Sequence, residues 1–192
     1  MKKIVLASGS PRRKELFAQL GLTPTIWSSD IPEMSSTTEK PESIAMSLAL
    51  QKALMASNIF EDSLIIAADT IVVLDGSIMG KPRNNGEAFE MLKALSGRSH
   101  EVITGIAIID SSKGSKVVEY EKTIVTFRNL ENDRINSYIA TGEVLDKAGA
   151  YGIQGKGALL VEKIEGCYFN VVGLPLTKLE SCLEKYFDTK FL

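Results

Sequence analysis

The apolar run from residue 64 to residue 74 constrains the fold of this chain more than any other segment. It reads LIIAADTIVVL, and apolar residues of this density over this length predict a buried β-strand. Asp75-Gly76 follows it, a pair that is typical of a tight hairpin turn. The chain is therefore expected to build a sheet around this strand.

Predicted strands and helices alternate along the rest of the chain. Further strands are expected at residues 3–8, 25–28, 102–109, 116–127 and 159–163. Helices are expected at residues 11–20, 42–58, 85–95, 131–141 and 175–187. A polar loop is expected at 29–41 and a glycine-dense loop at 149–157. Helices that alternate with strands and hairpins predict an α/β fold, with a mixed twisted sheet and flanking helices.

Length and composition limit the class of protein. The 192 residues suit one domain, or one domain with a lobe, and 44% hydrophobic residues can form a core. A net charge of -2 without a basic stripe argues against nucleic-acid binding. No apolar run approaches the roughly 18 residues that a membrane span requires. Cys167 and Cys182 show neither metal-binding nor disulfide spacing, which favours a cytoplasmic location.

The chain contains a single histidine, His100. Metal sites built from several histidines are therefore excluded, and any histidine-dependent nucleophile would have to use this residue. Its neighbours Arg98, Ser99 and Glu101 are polar, so we expect His100 to lie at the polar start of a strand, as a surface or capping histidine. Catalysis is accordingly expected from carboxylates, lysines, arginines and a metal ion.

Residues 8–13, SGSPRR, link the first predicted strand to the first predicted helix. Ser10 suits the N-cap and Pro11 the first helical position, so the amides of Arg12 and Arg13 are expected to face a ligand. Two cations in a first helical turn oppose the helix dipole, at about 0.3–1 kcal/mol each. A bound polyphosphate would reverse that cost, which favours a phosphate site. The alternative is a solvated helix start with ordinary surface arginines.

Two charged residues interrupt apolar patterns. An unpaired Asp69 in the strand would cost several kcal/mol, so it needs a cation, a metal or a site, unless it caps a turn at an exposed strand end. Lys52 falls within the apolar stripe of the predicted helix 42–58. That stripe is formed by Ile44, Leu48, Met55 and Ile59. Lys52 is either a charge placed for a ligand or a lysine that extends its head to solvent.

Taken together, these segments resemble the Maf family of nucleoside triphosphate pyrophosphatases. The matching segments are LASGSPRRKEL at 6–16, AADT at 67–70, GKP at 80–82, VITG at 102–105, DKAGAYGIQG at 146–155 and GLPL at 173–176. They occur in the order found in the family, and the first and fifth are long and specific. The segment through Gln154 resembles the branch that acts on dTTP and UTP rather than the branch that acts on 7-methyl-GTP.

The resemblance implies hydrolysis of a nucleoside triphosphate to its monophosphate and pyrophosphate with a divalent cation, Mg²⁺ or Mn²⁺. It also implies one domain over residues 1–192, related to inosine triphosphatases, with two lobes around a central cleft. A homodimer is expected, with a nucleotide substrate and neither nucleic acid nor membrane as partner.

The resemblance further implies roles for individual residues. Asp69 corresponds to the catalytic proton acceptor and, with Glu33, to a metal ligand. The specificity positions correspond to Arg12, Thr70 and Gln154. The remaining polar positions of the substrate pocket correspond to Ser8, Arg13, Glu33, Lys52 and Lys81.

These roles suggest that water attacks the α-phosphorus and pyrophosphate leaves. Asp69 would activate that water or hold the metal, while Arg12, Arg13, Lys52 and Lys81 would neutralise the charge that grows on the leaving group. One alternative is a nucleotide-responsive regulator of cell division that acts mainly by binding. Another is a purine-directed pyrophosphatase of the inosine triphosphate type.

Overall fold

The computed structural model describes residues 2–28 and 39–192. The strands within these residues are β1 Lys3–Ala7, β2 Thr25–Trp27, β3 Ser63–Leu74, β4 Ser77–Met79, β5 Ser99–Asp110, β6 Ser115–Phe127 and β7 Val161–Glu165. The helices are α1 Pro11–Gln19, α2 Pro41–Ser57, α3 Asn85–Leu95, α4 Asn132–Ile139, α5 Tyr168–Val172 and α6 Leu176–Phe187. Two 3-10 turns lie at Ala148–Ala150 and Gly155–Leu160.

The strands form a seven-stranded sheet in the order β2-β1-β3-β5-β6-β7, with β4 paired to β3. Strand β1 pairs in parallel with both β2 and β3, whereas β4 on β3 and β7 on β6 are antiparallel. The sheet is therefore mixed, and helices accompany it, which confirms the predicted fold class. Asp75 and Gly76 both have positive φ, 50° and 77°, which confirms the hairpin between β3 and β4.

The sequence prediction of secondary structure was wrong at two places in the second half of the chain. The strand expected at 159–163 begins only at Val161, because Gly155–Leu160 forms a 3-10 turn instead. Helix α5 was not predicted at all. It has five residues, too few for a helical period of 3.6 residues to become visible in the sequence.

The chain divides into two compact units, and each has its own core. The first unit comprises residues 1–69, 104–121 and 173–192, and the second comprises residues 70–103 and 122–172. In the first unit the core lies between α2 and the central strands. Its buried members are Val5, Ala7, Ala49, Ala53, Ala56, Ile65, Ala67, Ala107 and Ile109. The second core contains Leu92, Leu95, Phe127, Ile135 and Tyr151, among other residues. The prediction of one domain over residues 1–192 stays a prediction.

Within the first unit, helix α2 approaches strand β5 closely at Gly105. A Cβ atom on Gly105 would overlap the backbone carbonyl of Ala45 and would lie 2.6 Å from the amide nitrogen of Met46. Only glycine allows this separation, because the obstacle is backbone and cannot rotate away. Gly105 therefore sets the height of α2 above the sheet, and with it the position of every side chain that α2 carries.

In residues 2–28 and 39–192, no helix combines the length and the apolar character that crossing a bilayer would demand.

Candidate functional site

The turn between β1 and α1 is organised by the hydroxyl of Ser8. Its Oγ accepts hydrogen bonds from the backbone amide of Ser10, at 3.3 Å, and from a terminal nitrogen of Arg13, at 2.9 Å. Helix α1 begins at Pro11 as predicted. Ser10 occupies the N-cap position, which confirms that prediction, although its side chain makes no capping hydrogen bond. The side chain that orders this turn is Ser8.

Arg13 is buried, with 8% of its surface exposed. Its Nε donates to the carbonyl oxygen of Gly173 at 2.7 Å. Burial lowers the pKa of Arg13 to about 10; the negative charge of Asp69 acts in the opposite direction, and the positive charge of Arg12 lowers it further. The guanidinium is therefore still charged at neutral pH. It connects the turn to the chain segment that begins at Gly173.

Asp69 and Lys52 form an ion pair between β3 and α2. The Nζ of Lys52 donates to Oδ1 of Asp69. The side chains are 22% and 19% exposed, so solvent can reach both. Strand β3 continues to Leu74, which excludes the alternative of an aspartate at the strand end. Of the three possibilities that the sequence argument allowed for this carboxylate, a cation, a metal or a site, the structure shows a cation, Lys52.

The reasoning that singled out Lys52 was partly wrong. Met55 and Ile59, expected to lie on the apolar stripe beside it, are 44% and 57% exposed. The buried face of α2 is formed instead by Ile44, Ala45, Leu48, Ala49, Ala53 and Ala56. Lys52 lies at the border of this face, half-buried, from which its long side chain reaches the carboxylate on β3.

The first unit thus brings together five of the predicted site residues. Ser8 bonds Arg13, Lys52 bonds Asp69, and the charges of Arg12 and Asp69 both act on Arg13. Three cations therefore belong to one network with the carboxylate of Asp69. Cations grouped in this way favour a polyanionic ligand.

Thr70, Lys81 and Gln154 belong to the second unit. Thr70 and Gln154 are half-buried, and Lys81 is exposed. The loop that carries Lys81 is tied to the segment leading to Gln154, since the amide of Gly149 donates to the carbonyl of Gly80 at 3.0 Å. Two sequence motifs that are far apart along the chain are therefore neighbours in this unit. Glu33 lies outside the described residues.

The structure contradicts the expectation that His100 is a surface or capping histidine. It is only 3% exposed, and its Nε2 shares a 2.7 Å hydrogen bond with Oη of Tyr151. Burial lowers the pKa of His100 to about 4. The polar neighbours misled the sequence reading, because alternate residues of a strand face opposite sides of the sheet. His100 and Val102 lie two residues apart on the same face of the strand, and both are buried. This spacing of two is the sequence signal that could have identified His100 as a buried residue.

The chemistry of the donor set bears on the expected metal. Considering residues 2–28 and 39–192, no group of three or more histidine, cysteine, aspartate or glutamate side chains could hold a metal ion. Mg²⁺ rarely uses a cage made entirely of protein; it is usually held by one or two carboxylates and by substrate phosphates. Asp69 beside a phosphate-binding turn fits a cation of this kind, which would be shared between protein and substrate.

Comparison with known proteins places these features in a family. The family model described as Maf-like protein matches residues 3–186. A protein named dTTP/UTP pyrophosphatase from Caldanaerobacter subterraneus subsp. tengcongensis is 54% identical over 99% of this chain and 92% of its own. A protein of the same name from Moorella thermoacetica is 52% identical over 95% and 94%.

Among solved structures, a HAM1 protein from Coxiella burnetii shows a weaker likeness. It is 20% identical, covers 66% of this chain and 73% of its own, and has a TM-score of 0.47. A likeness of this degree adds nothing to the argument from the sheet and the site.

Proposed function

The chain belongs to the Maf-like protein family, and from this premise we propose that it hydrolyses dTTP and UTP to the monophosphate and pyrophosphate. The observation that carries the proposal is the Asp69–Lys52 pair next to the turn that Ser8 and Arg13 organise. Relatives named dTTP/UTP pyrophosphatase that cover nearly the whole chain support the choice of substrate.

The proposed reaction is an in-line displacement at the α-phosphorus. The oxygen of a water molecule forms a bond to phosphorus while the bond to the oxygen that bridges the α- and β-phosphates breaks. The proton of the water passes to the carboxylate of Asp69, and pyrophosphate leaves with the electron pair of the broken bond. Positioned charge and proton transfer together account for most of the rate that such sites achieve.

Asp69 is suited to the role of proton acceptor by its surroundings. Lys52 hydrogen-bonds this carboxylate through Oδ1. The second oxygen, Oδ2, is the atom that would take the proton. The Lys52 ammonium fixes the rotation of the carboxylate through its hydrogen bond to Oδ1.

The cations of the first unit would bind the phosphate chain. The guanidinium of Arg13 is committed to Ser8 and Gly173, so its part is to shape the turn and to contribute positive charge. Arg12 is half-buried in the same turn, and its guanidinium would contact the phosphates directly. The dipole of α1 adds partial positive charge at its N-terminus.

The proposal also assigns roles to three residues of the second unit, Thr70, Lys81 and Gln154. Lys81 would neutralise charge on the leaving pyrophosphate. Thr70 and Gln154 would recognise the base, because hydroxyl and amide groups can pair with the polar edge of a pyrimidine. A bound Mg²⁺ or Mn²⁺, held by Asp69 and Glu33 together with the phosphates, would supply further neutralisation of the phosphate charge.

We also propose that the protein is a cytoplasmic homodimer. The support for this is the family resemblance together with a composition of two cysteines without disulfide spacing. Sedimentation equilibrium at micromolar concentration tests the oligomeric state, and a single monomeric species would contradict the dimer.

A nucleotide panel tests the catalytic proposal. Release of pyrophosphate by the purified protein is measured with dTTP, UTP, CTP and 7-methyl-GTP at equal concentration in Mg²⁺ buffer. We expect dTTP and UTP to be the best substrates. Binding without pyrophosphate release would favour a regulator, and preference for 7-methyl-GTP would assign the chain to another branch of the family.

A further inference from the structure

The loop that carries Gln154 is held in a strained backbone conformation. Gly149 and Ala150 both have positive φ, 66° and 63°. An alanine in the left-handed region is disfavoured relative to ordinary backbone, and it persists only where the surroundings hold it in place. The amide of Ala150 donates to the carbonyl of Lys147 at 3.0 Å, so the strain lies inside a tight turn just before Tyr151.

Tyr151 anchors this loop to the sheet of the second unit. Its ring is 5% exposed and packs edge-on against Phe127, with 4.7 Å between ring centroids. Its Oη shares the 2.7 Å hydrogen bond with Nε2 of His100 on β5. Because burial lowers the pKa of His100 to about 4, the imidazole is neutral throughout the physiological range and this bond persists.

Two further contacts hold the backbone on both sides of Gln154. The amide of Gly152 donates to Oη of Tyr138 on α4 at 3.3 Å. After Gln154, Gly157 lies so close to the loop that a Cβ atom there would overlap the carbonyl oxygen of Gly152. The two ends of the loop are therefore in contact, and Gln154, which lies between them, is half-buried.

We propose that His100 and Tyr151 are positioning residues for pyrimidine recognition, because they hold the loop of residues 151–157 so that the Gln154 amide meets the base in one place. This inference rests on the proposed function and deepens it. Neither side chain needs to touch the substrate. Their effect passes through the loop backbone to Gln154.

The chemistry of an amide explains why positioning is needed. A glutamine offers both a donor and an acceptor. Uracil and thymine present an N–H donor beside a carbonyl acceptor, whereas cytosine presents a ring nitrogen acceptor beside an amino donor. A glutamine whose amide can move or rotate pairs with either base edge, so it would not discriminate between the two kinds of base. Discrimination requires that the wrong base leaves polar groups unpaired, which only a held amide enforces.

The test breaks the His100–Tyr151 hydrogen bond from each side while an aromatic ring is kept at both positions. Tyr151→Phe and His100→Phe are assayed for pyrophosphate release with UTP and CTP. We expect KM for UTP to rise about tenfold, the loss that one hydrogen bond produces. The ratio of kcat/KM for UTP over CTP should fall by a similar factor, while kcat for UTP stays within about twofold of wild type.

A core variant distinguishes positioning from a general loss of stability. Leu92→Val weakens the same core from α3 and leaves the loop contacts unchanged. It is expected to lower stability without altering the ratio of kcat/KM for UTP over CTP. If Leu92→Val changes that ratio as much as Tyr151→Phe does, the positioning proposal is wrong.

The Gln154→Ala background shows whether the effect passes through Gln154. In that background Tyr151→Phe should leave the ratio of UTP to CTP unchanged, because effects that share one route are not additive. Additive effects, or single variants that keep the wild-type ratio, would overturn the positioning proposal alone. A wild-type protein inactive on dTTP and UTP would instead overturn the proposed function, and this inference with it.

Discussion

The ammonium of Lys52 on α2 and the carboxylate of Asp69 on β3 form an ion pair across 17 residues of chain. The pair joins a carboxylate in the interior of β3 to a lysine at the border of the buried face of α2. Each residue alone places a charge in an apolar pattern, and in the pair the two charges neutralise each other. The fold can therefore accommodate both charges, and the carboxylate is held in one orientation.

Replacement of that carboxylate should abolish catalysis while the fold is retained. Asp69→Asn keeps the shape of the side chain but cannot accept a proton, so we expect kcat for dTTP to fall by about 10²–10⁴-fold. Asp188→Asn is the matched control, because Asp188 is exposed and its positive φ of 47° is tolerated by asparagine. Wild-type turnover by Asp69→Asn in the presence of Mg²⁺ would refute the assignment.

Arg13 and Arg12 should respond differently to the same substitution. Arg13→Lys keeps the charge but cannot reproduce both the bond to Gly173 and the bond to Ser8. We expect the free energy of unfolding in urea to fall by about 1–3 kcal/mol. Arg12→Lys should leave that free energy within about 0.5 kcal/mol and instead raise KM. Equal loss of stability in the two variants would contradict the structural role of Arg13.

His100 should make the protein sensitive to acid. The pKa of His100 is about 4 in the folded protein, against 6.5 for an unperturbed histidine, so the unfolded chain binds an additional proton between these two values. Stability is therefore retained above pH 6.5 and is lost as the pH falls towards 4, by at most about 3 kcal/mol.

The measurement is the free energy of unfolding in urea at several values of pH, for wild type and His100→Gln. Carboxylates titrate in both proteins, so their contribution cancels in the difference. The difference, wild type minus variant, should decrease steadily from pH 6.5 to pH 4. A constant difference over this range would show that His100 does not have a lowered pKa.

A methyl group at residue 105 should separate α2 from the sheet. In Gly105→Ala the new Cβ meets the backbone of Ala45 rather than its side chain, so we expect a loss of several kcal/mol of stability, at the upper end for single substitutions. The decisive control is the double variant with Ala45→Gly. Removal of the Ala45 side chain should give no rescue, and recovery of the melting temperature would show that the close contact is made by the side chain.

The protein is expected to bind Mg²⁺ only in its complex with the substrate. Because the described residues contain no group of three ligands, we expect EDTA to abolish pyrophosphate release without changing the melting temperature of the free protein. Mg²⁺ should raise the melting temperature only when a non-hydrolysable dTTP analogue is also present. A shift caused by Mg²⁺ alone would indicate a metal site that the protein forms by itself.

Local pattern in the sequence predicts most elements of this fold, and the failures have definable causes. Strand β3 and helix α3 follow from dense apolar periodicity and from turn residues at their ends. The strand expected at residue 159 was displaced because Gly155–Leu160 adopts a 3-10 turn, a conformation that glycines permit but do not specify.

The site was predicted less completely than the fold. Asp69 and Lys52 were each recognised as charges in apolar surroundings, but their pairing depends on the height of α2 above the sheet, which a distant contact at Gly105 sets. His100 was misjudged because its neighbours along the strand face the opposite side. In each case the missing information is tertiary: it concerns which face another element covers.

The bond from Arg13 to the carbonyl of Gly173 spans 160 residues, and this has a consequence for biosynthesis. The arginine is translated early, and its acceptor emerges from the ribosome only after nearly all the intervening polypeptide. Until then the Nε of Arg13 lacks this acceptor, so a nascent or prematurely terminated product that ends before Gly173 would lack the hydrogen bond that ties the start of α1 to the C-terminal part of the first unit.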